Sequence, residues 1–167
     1  AGFWFVESLA SIKDSKFTHQ SKFLGETSSI SFALNKVFLL KPQTFMNNSG
    51  SSIKSLLSYY NISPEETLVV HDELDLPVGT VKIKLAGGHG GHNGLRDTIK
   101  ALNSKDFYRL RIGIAHPGSK DDVVDYVLNA PGKSELSSIE QGMSNAMSII
   151  DLLVNGNFED AMKALHT

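Results

Sequence analysis

Cysteine is missing altogether from the 167 residues, which excludes disulfides and thiolate metal sites. No apolar run approaches the length that spans a bilayer as a helix. Nothing at the start reads as a secretory leader, because Lys13 and Lys16 follow the first apolar stretch instead of preceding it. These absences point to a cytoplasmic protein without a membrane partner. Net charge is only −2, so bulk charge does not suggest a nucleic-acid partner. There is no internal repeat, low-complexity tract or evident linker. What is present is 41% hydrophobic and 20% charged residues, enough at this length for one globular domain with a sizeable core. Charge is distributed unevenly. Lys82, Lys84, Arg96, Lys100, Lys105, Arg109, Arg111 and Lys120 make up half of the 16 basic residues, and only Asp97 and Asp106 oppose them in that window. Such a local basic face attracts phosphate whatever the total charge, although solvated surface charge reads the same way.

Periodicity predicts the elements. Residues 1–12 read as a helix with Phe3, Val6 and Leu9 on one face. Residues 22–32 and 36–40 read as a hairpin around Ala33-Leu34-Asn35. Pro42 should end the second strand, and Asn47, Asn48 or Ser49 should cap a helix carrying Ile53, Leu56, Leu57 and Tyr60. Ser63-Pro64-Glu65-Glu66 is a capping box with proline in the first turn. Thr67-Leu68-Val69-Val70 reads as a buried strand that delivers His71 and Asp72 at its end. Strands over 81–85 and 108–114 flank a helix through Leu95, Ile99 and Leu102. His116-Pro117-Gly118 forms a turn, 122–128 a helix, and 134–154 a long amphipathic helix ended by Gly156. Phe158, Ala161, Met162 and Leu165 mark a last short helix. Interleaved strands and helices define an α/β class, in which ligands favour the C-terminal ends of strands.

Chemistry concentrates in two stretches. Gly87-Gly88-His89-Gly90-Gly91-His92-Asn93-Gly94-Leu95-Arg96-Asp97 is a glycine loop that opens a helix. Its free N–H groups and positive dipole end suit an oxyanion or phosphate, but a plain strand-to-helix loop fits as well. His71-Asp72-Glu73-Leu74-Asp75-Leu76-Pro77 places carboxylates at a strand end. Asp72 there can orient a histidine and stabilise its charged form, or simply cap a turn. Glu73 and Asp75 read as solvated. His71 reads as a packed histidine, and His19, His116 and His166 as surface residues. Asn47 and Asn93 each stand beside a helix start, where an amide either holds a water and donates to an oxyanion or caps the helix. His89 and His92 with Asp72 or Asp75 are too few nitrogen ligands, on too loose a loop, for a metal site. No metal and no cofactor are expected.

Taken together, these segments resemble the signatures of bacterial-type peptidyl-tRNA hydrolase. They are Pro42-Gln43-Thr44-Phe45-Met46-Asn47-Asn48-Ser49-Gly50, the His71–Pro77 stretch and the glycine loop, with Tyr108-Arg109-Leu110-Arg111-Ile112-Gly113-Ile114 and His116-Pro117-Gly118 beside them. The resemblance is collinear from Ala1 nearly to the C-terminus. It implies a monomeric single domain over 1–167, α/β with a twisted mixed β-sheet flanked by helices. It also implies metal-independent hydrolysis of the ester between a peptide and the terminal ribose of tRNA, recycling tRNA from prematurely released peptides. The partner would be peptidyl-tRNA, held at its acceptor stem and CCA end. By the same resemblance, Asp72 assists a general-base histidine, Asn47 and Asn93 bind substrate and position water, and Phe45 and His92 border the cleft. Lys84 and Arg111 face the tRNA. The family's base stands just before the Ala-Gly that opens the first helix, which Ala1-Gly2 match here. None of the six histidines corresponds to it. A first strand and loop carrying that histidine are therefore expected ahead of residue 1, together with an asparagine that discriminates against free aminoacyl-tRNA. Two rival readings stand beside this one: a catalytically inactive tRNA-acceptor binder, and a nucleotide- or metal-binding module built on the glycine loop.

Overall fold

A computed structural model describes residues 2–32, 35–43, 48–114 and 133–166. These residues gather into two compact units. The first comprises 2–5, 70–83, 110–114 and 133–166, and the second 6–32, 35–43, 48–69 and 84–109.

Helix α1 (Gly2–Ile12) opens the chain. Its buried residues are Phe5, Leu9 and Ala10, whereas Phe3, expected on the apolar face, is 43% exposed. The stripe therefore follows a four-residue step from Phe5 to Leu9, close to the helical repeat. Strands β1 (Thr18–Gln20), β2 (Gly25–Phe32) and β3 (Asn35–Pro42) form an antiparallel sheet in that order. β1 escaped the periodicity reading because its Thr-His-Gln sequence has no apolar alternation. It exists because it pairs with β2, Thr18 opposite Thr27. Between them, Ser21–Phe23 make a 3-10 turn ended by Leu24 in the left-handed region, so the strand expected from residue 22 starts at Gly25. The β2–β3 register closes at Phe32 opposite Asn35, as a tight hairpin requires.

Helix α2 (Ser49–Tyr60) buries Ile53, Leu56 and Leu57. Tyr60 instead stays 38% exposed and stacks on Phe38. The Ser63 capping box forms, but on a single 3-10 turn, Pro64–Glu66. Thr67 is already extended, and the apolar run takes over as β4 (Leu68–Glu73).

β4, β5 (Val81–Leu85) and β6 (Tyr108–Gly113) make a second sheet with β6 central. Tyr108 N–H donates to Thr67 O and Ile114 N–H to Glu73 O. Pairing that climbs both strands together makes β4 and β6 parallel. Ala86 N–H to Phe107 O and Gly113 N–H to Thr80 O run in opposite senses, so β5 is antiparallel to β6. The sheet is mixed. Leu110 and Ile112 are wholly buried in it, consistent with a central strand.

Helix α3 (Asn93–Leu102) follows the glycine loop. The long C-terminal helix is divided into α4 (Lys133–Met147) and α5 (Ile150–Val154). At the break, Ser148 Oγ donates to Asn145 O at 2.6 Å, a back-bond that loosens a helix. The adjacent Ile149 and Ile150 are both buried, which one continuous apolar stripe accommodates poorly. Helix α6 (Phe158–His166) ends the described chain. His166 Nε2 accepts from the Ile83 N–H at 3.1 Å. Burial and the neighbouring Lys82 hold its pKa below the ordinary value, favouring the neutral ring this bond needs. The helix and turn expected between 115 and 132 lie outside the described residues.

Candidate active site

In the first unit, β4 carries His71, Asp72 and Glu73. His71 is buried, with Nδ1 2.8 Å from the backbone oxygen of Asp72. A carbonyl only accepts, so that nitrogen bears the proton. Asp72 is half-buried near the strand's end. Glu73, expected to be solvated, is instead bonded by Arg111 Nε at 2.9 Å, with side-chain exposures of 18% and 22%. Burial pushes the Glu73 carboxyl up, but the Arg111 hydrogen bond and the Asp75 N–H outweigh it, and its pKa lies below the ordinary value. Because Arg111 uses Nε for this pair, its terminal nitrogens remain unengaged among the described residues.

The first turn of α1 lies directly on this strand. A Cβ at Gly2 would stand 2.5 Å from Val70 O and 3.8 Å from His71 Cα. Only glycine permits that approach. The start of α1 at Gly2 therefore lies against Val70 and His71.

In the second unit, the glycine loop ends on α3. His92 is the N-cap, and its Nδ1 accepts from the Leu95 N–H at 3.1 Å. Of the two readings open for Asn93, capping is not the one it takes: it is the first helical residue, and exposed. Since histidine satisfies the donor, no described residue engages the Asn93 amide. His89 Nδ1 accepts from Gly91 N–H at 3.0 Å. No group of three potential metal ligands occurs among the described residues.

Lys84 is exposed on β5 and lies against Gly87, whose φ is +103°. A Cβ there would come within 2.9 Å of Lys84 Cε and 3.0 Å of its Nζ. Glycine at 87 thus provides both the turn and the room for that ammonium. Phe45 and Asn47 lie outside the described residues.

Two residues of this region were misjudged or missed in the sequence. Arg109, counted with the basic face, is 2% exposed. Its Nη1 donates to Gly88 O at 2.6 Å and its Nη2 to Gly87 O at 2.7 Å, and its guanidinium lies 4.6 Å over the Phe107 ring. It holds the glycine loop instead of facing solvent. Asp97 is the other. The cap expected from Asn47, Asn48 or Ser49 is not made by Asn48, which stands at the N-cap of α2 without a side-chain capping bond. Asp97 Oδ2, on α3, accepts from the Gly50 N–H at 2.7 Å. Four basic residues on described β5 and α3 remain exposed: Lys82, Lys84, Arg96 and Lys100.

The sequence model of the peptidyl-tRNA hydrolase family matches residues 1–167. A peptidyl-tRNA hydrolase of Ruthia magnifica subsp. Calyptogena magnifica is 53% identical over 167 residues, covering 100% of this chain and 87% of the relative. One from Stenotrophomonas maltophilia is 49% identical over the same length, with the same coverage. The crystal structure of peptidyl-tRNA hydrolase from Acinetobacter baumannii superposes with a TM-score of 0.94 at 42% identity, covering 98% of this chain and 83% of that one. An α/β fold with these relatives is that of a hydrolase. The chain belongs to the peptidyl-tRNA hydrolase family. No described helix is long and apolar enough to cross a membrane.

Proposed function

We propose that the site hydrolyses the ester of peptidyl-tRNA by general-base activation of water, and that Asp72 stabilises the charged form of the base. The base is a histidine that in the family stands just ahead of the helix start matched by Ala1-Gly2, and residues 1–167 do not include it. One observation carries this reading: the contact of Gly2 with Val70 and His71 sets the start of α1, which the family's base precedes, against the strand bearing Asp72. An ester is already activated toward water, so one base and a few amide donors suffice. Asn93 supplies an amide that capping does not consume, and the resemblance gives Asn47 the same substrate-binding role. Asn93 steadies the water or the developing oxyanion. Phe45 and His92 border the peptide side, and Lys84 and the terminal nitrogens of Arg111 meet tRNA phosphate. The enzyme works as a monomeric single domain in the cytoplasm, without a metal. The family match over the whole chain and the hydrolase relatives favour this over an inactive acceptor binder.

The test uses the full-length enzyme and N-blocked aminoacyl-tRNA, with and without EDTA. Asp72→Asn is expected to lower kcat about 10²-fold or more with little change in tRNA affinity, as loss of a charge-stabilising partner does. EDTA should have no effect. Equal loss of turnover and affinity would refute the role given to Asp72, and inhibition by EDTA would refute metal independence.

A further inference from the structure

Glu73 closes β4 within a short acidic run, yet both of its oxygens are engaged. Oε1 accepts from Arg111 Nε at 2.9 Å, and Oε2 accepts a longer bond from the Asp75 N–H at 3.4 Å. A carboxylate that meets a guanidinium often takes two parallel bonds, fork to fork. Here the second oxygen turns to the backbone two residues on, and the pair rests on Nε alone. Nη1 and Nη2 of Arg111 are left unengaged among the described residues. Joining the strands does not require this pair. Their backbones are already bonded at this end, Ile114 N–H donating to Glu73 O at 3.0 Å. Replacing a largely buried ion pair by apolar side chains is often neutral for stability.

What the pair fixes is the direction of Arg111. An arginine on a free, flexible stem must be ordered when it meets a phosphate, and that ordering weakens binding. Anchored at Nε, the planar guanidinium keeps its two terminal nitrogens for a ligand, and they match two oxygens of one phosphate. The anchor's negative charge also repels phosphate. Removing Glu73 therefore has two opposite consequences, a stronger net attraction and a weaker alignment, and the sign of the change in binding tells which one governs. We infer that Glu73 is a positioning residue for substrate binding: it holds Arg111 by Nε so that Nη1 and Nη2 grip one phosphate of tRNA as a fork. This rests on Arg111 meeting tRNA phosphate, as proposed for the reaction.

The test is steady-state hydrolysis of N-blocked aminoacyl-tRNA by the full-length enzyme, with melting temperatures measured alongside. Glu73→Met keeps an unbranched side chain but removes the acceptor, and should raise KM about tenfold with kcat within about twofold. Loss of folded enzyme alone would lower the apparent kcat and leave KM unmoved. Glu73→Gln keeps an oxygen for Nε and should hold KM within about twofold of the parent. Glu73→Asp keeps the charge but draws the carboxylate back by one methylene, so it should raise KM as the methionine does, and it decides the matter if Glu73→Met does not fold. Arg111→Gln places an amide nitrogen where Nε stands, which keeps the bond to Glu73 and removes both terminal nitrogens. It should raise KM about tenfold or more. The inference is overturned if the Glu73→Met enzyme, or Glu73→Asp in its place, leaves KM unchanged or lowers it, as release from a repelling charge would. It is also overturned if Glu73→Gln raises KM as much as Glu73→Met. In either case Arg111→Gln separates the two claims: a raised KM leaves the phosphate contact standing without the positioning role, and an unchanged KM removes both.

Discussion

Replacing Arg109 with methionine removes the clamp on the glycine loop while keeping an unbranched side chain in the central strand. The guanidinium makes two short bonds, to Gly88 O at 2.6 Å and to Gly87 O at 2.7 Å. Hydrogen bonds from a charged donor contribute about 1.5–3 kcal/mol each. The Gly87 and Gly88 backbone is partly open to water, so its carbonyls regain hydration and the lower value applies, about 3 kcal/mol in total. For a domain of this size each kcal/mol shifts the melting point by about 2–4 °C, so Arg109→Met should melt about 6–12 °C lower. Arg109→Lys keeps the charge but cannot fork to two carbonyls, and should fall between. The loop leads directly to His92 and Asn93, so its amides at 89–95 should exchange faster in the methionine variant. At a temperature where both proteins are folded, kcat should drop about 10²-fold, the scale of a misplaced catalytic group. A methionine variant with unchanged melting, exchange and turnover would refute the clamp.

Asp97→Ala should cost about 1 kcal/mol, the usual worth of a lost helix cap, because Gly50 N–H loses its acceptor. Chemical denaturation measures it, and a change within error would mean that water replaces the carboxylate without cost. Burial pushes the Glu73 carboxyl up, but Arg111 holds its pKa below the ordinary carboxylate value. A lowered carboxylate pKa contributes stability that is full above the unfolded value and is lost as pH falls through the folded one. The parent should therefore lose more stability than Glu73→Gln on acidification below about 4.5, as urea midpoints across that range would register. Parallel pH profiles would show that the pair adds nothing.

Local pattern made much of this protein legible. The α/β class, the strand that ends in His71 and Asp72, and the glycine loop opening a helix at 93 all follow from side-chain period and glycine chemistry over a few neighbouring residues. So does the family, since its motifs are contiguous. What the sequence could not determine depends on partners distant along the chain. Arg109 and Arg111 look alike in Arg-Leu-Arg, yet Arg109 turns inward to carbonyls at 87 and 88, while Arg111 meets Glu73. The central place of β6 in its sheet explains why each is held by a partner, because a central strand has little open surface to offer a charge, and which partner it is depends on the neighbouring segment each one reaches. The cap of α2 comes from Asp97, 47 residues away, and β1 is a strand only because β2 lies beside it. Period and propensity act between neighbours in sequence, whereas burial and polar satisfaction are settled between neighbours in space.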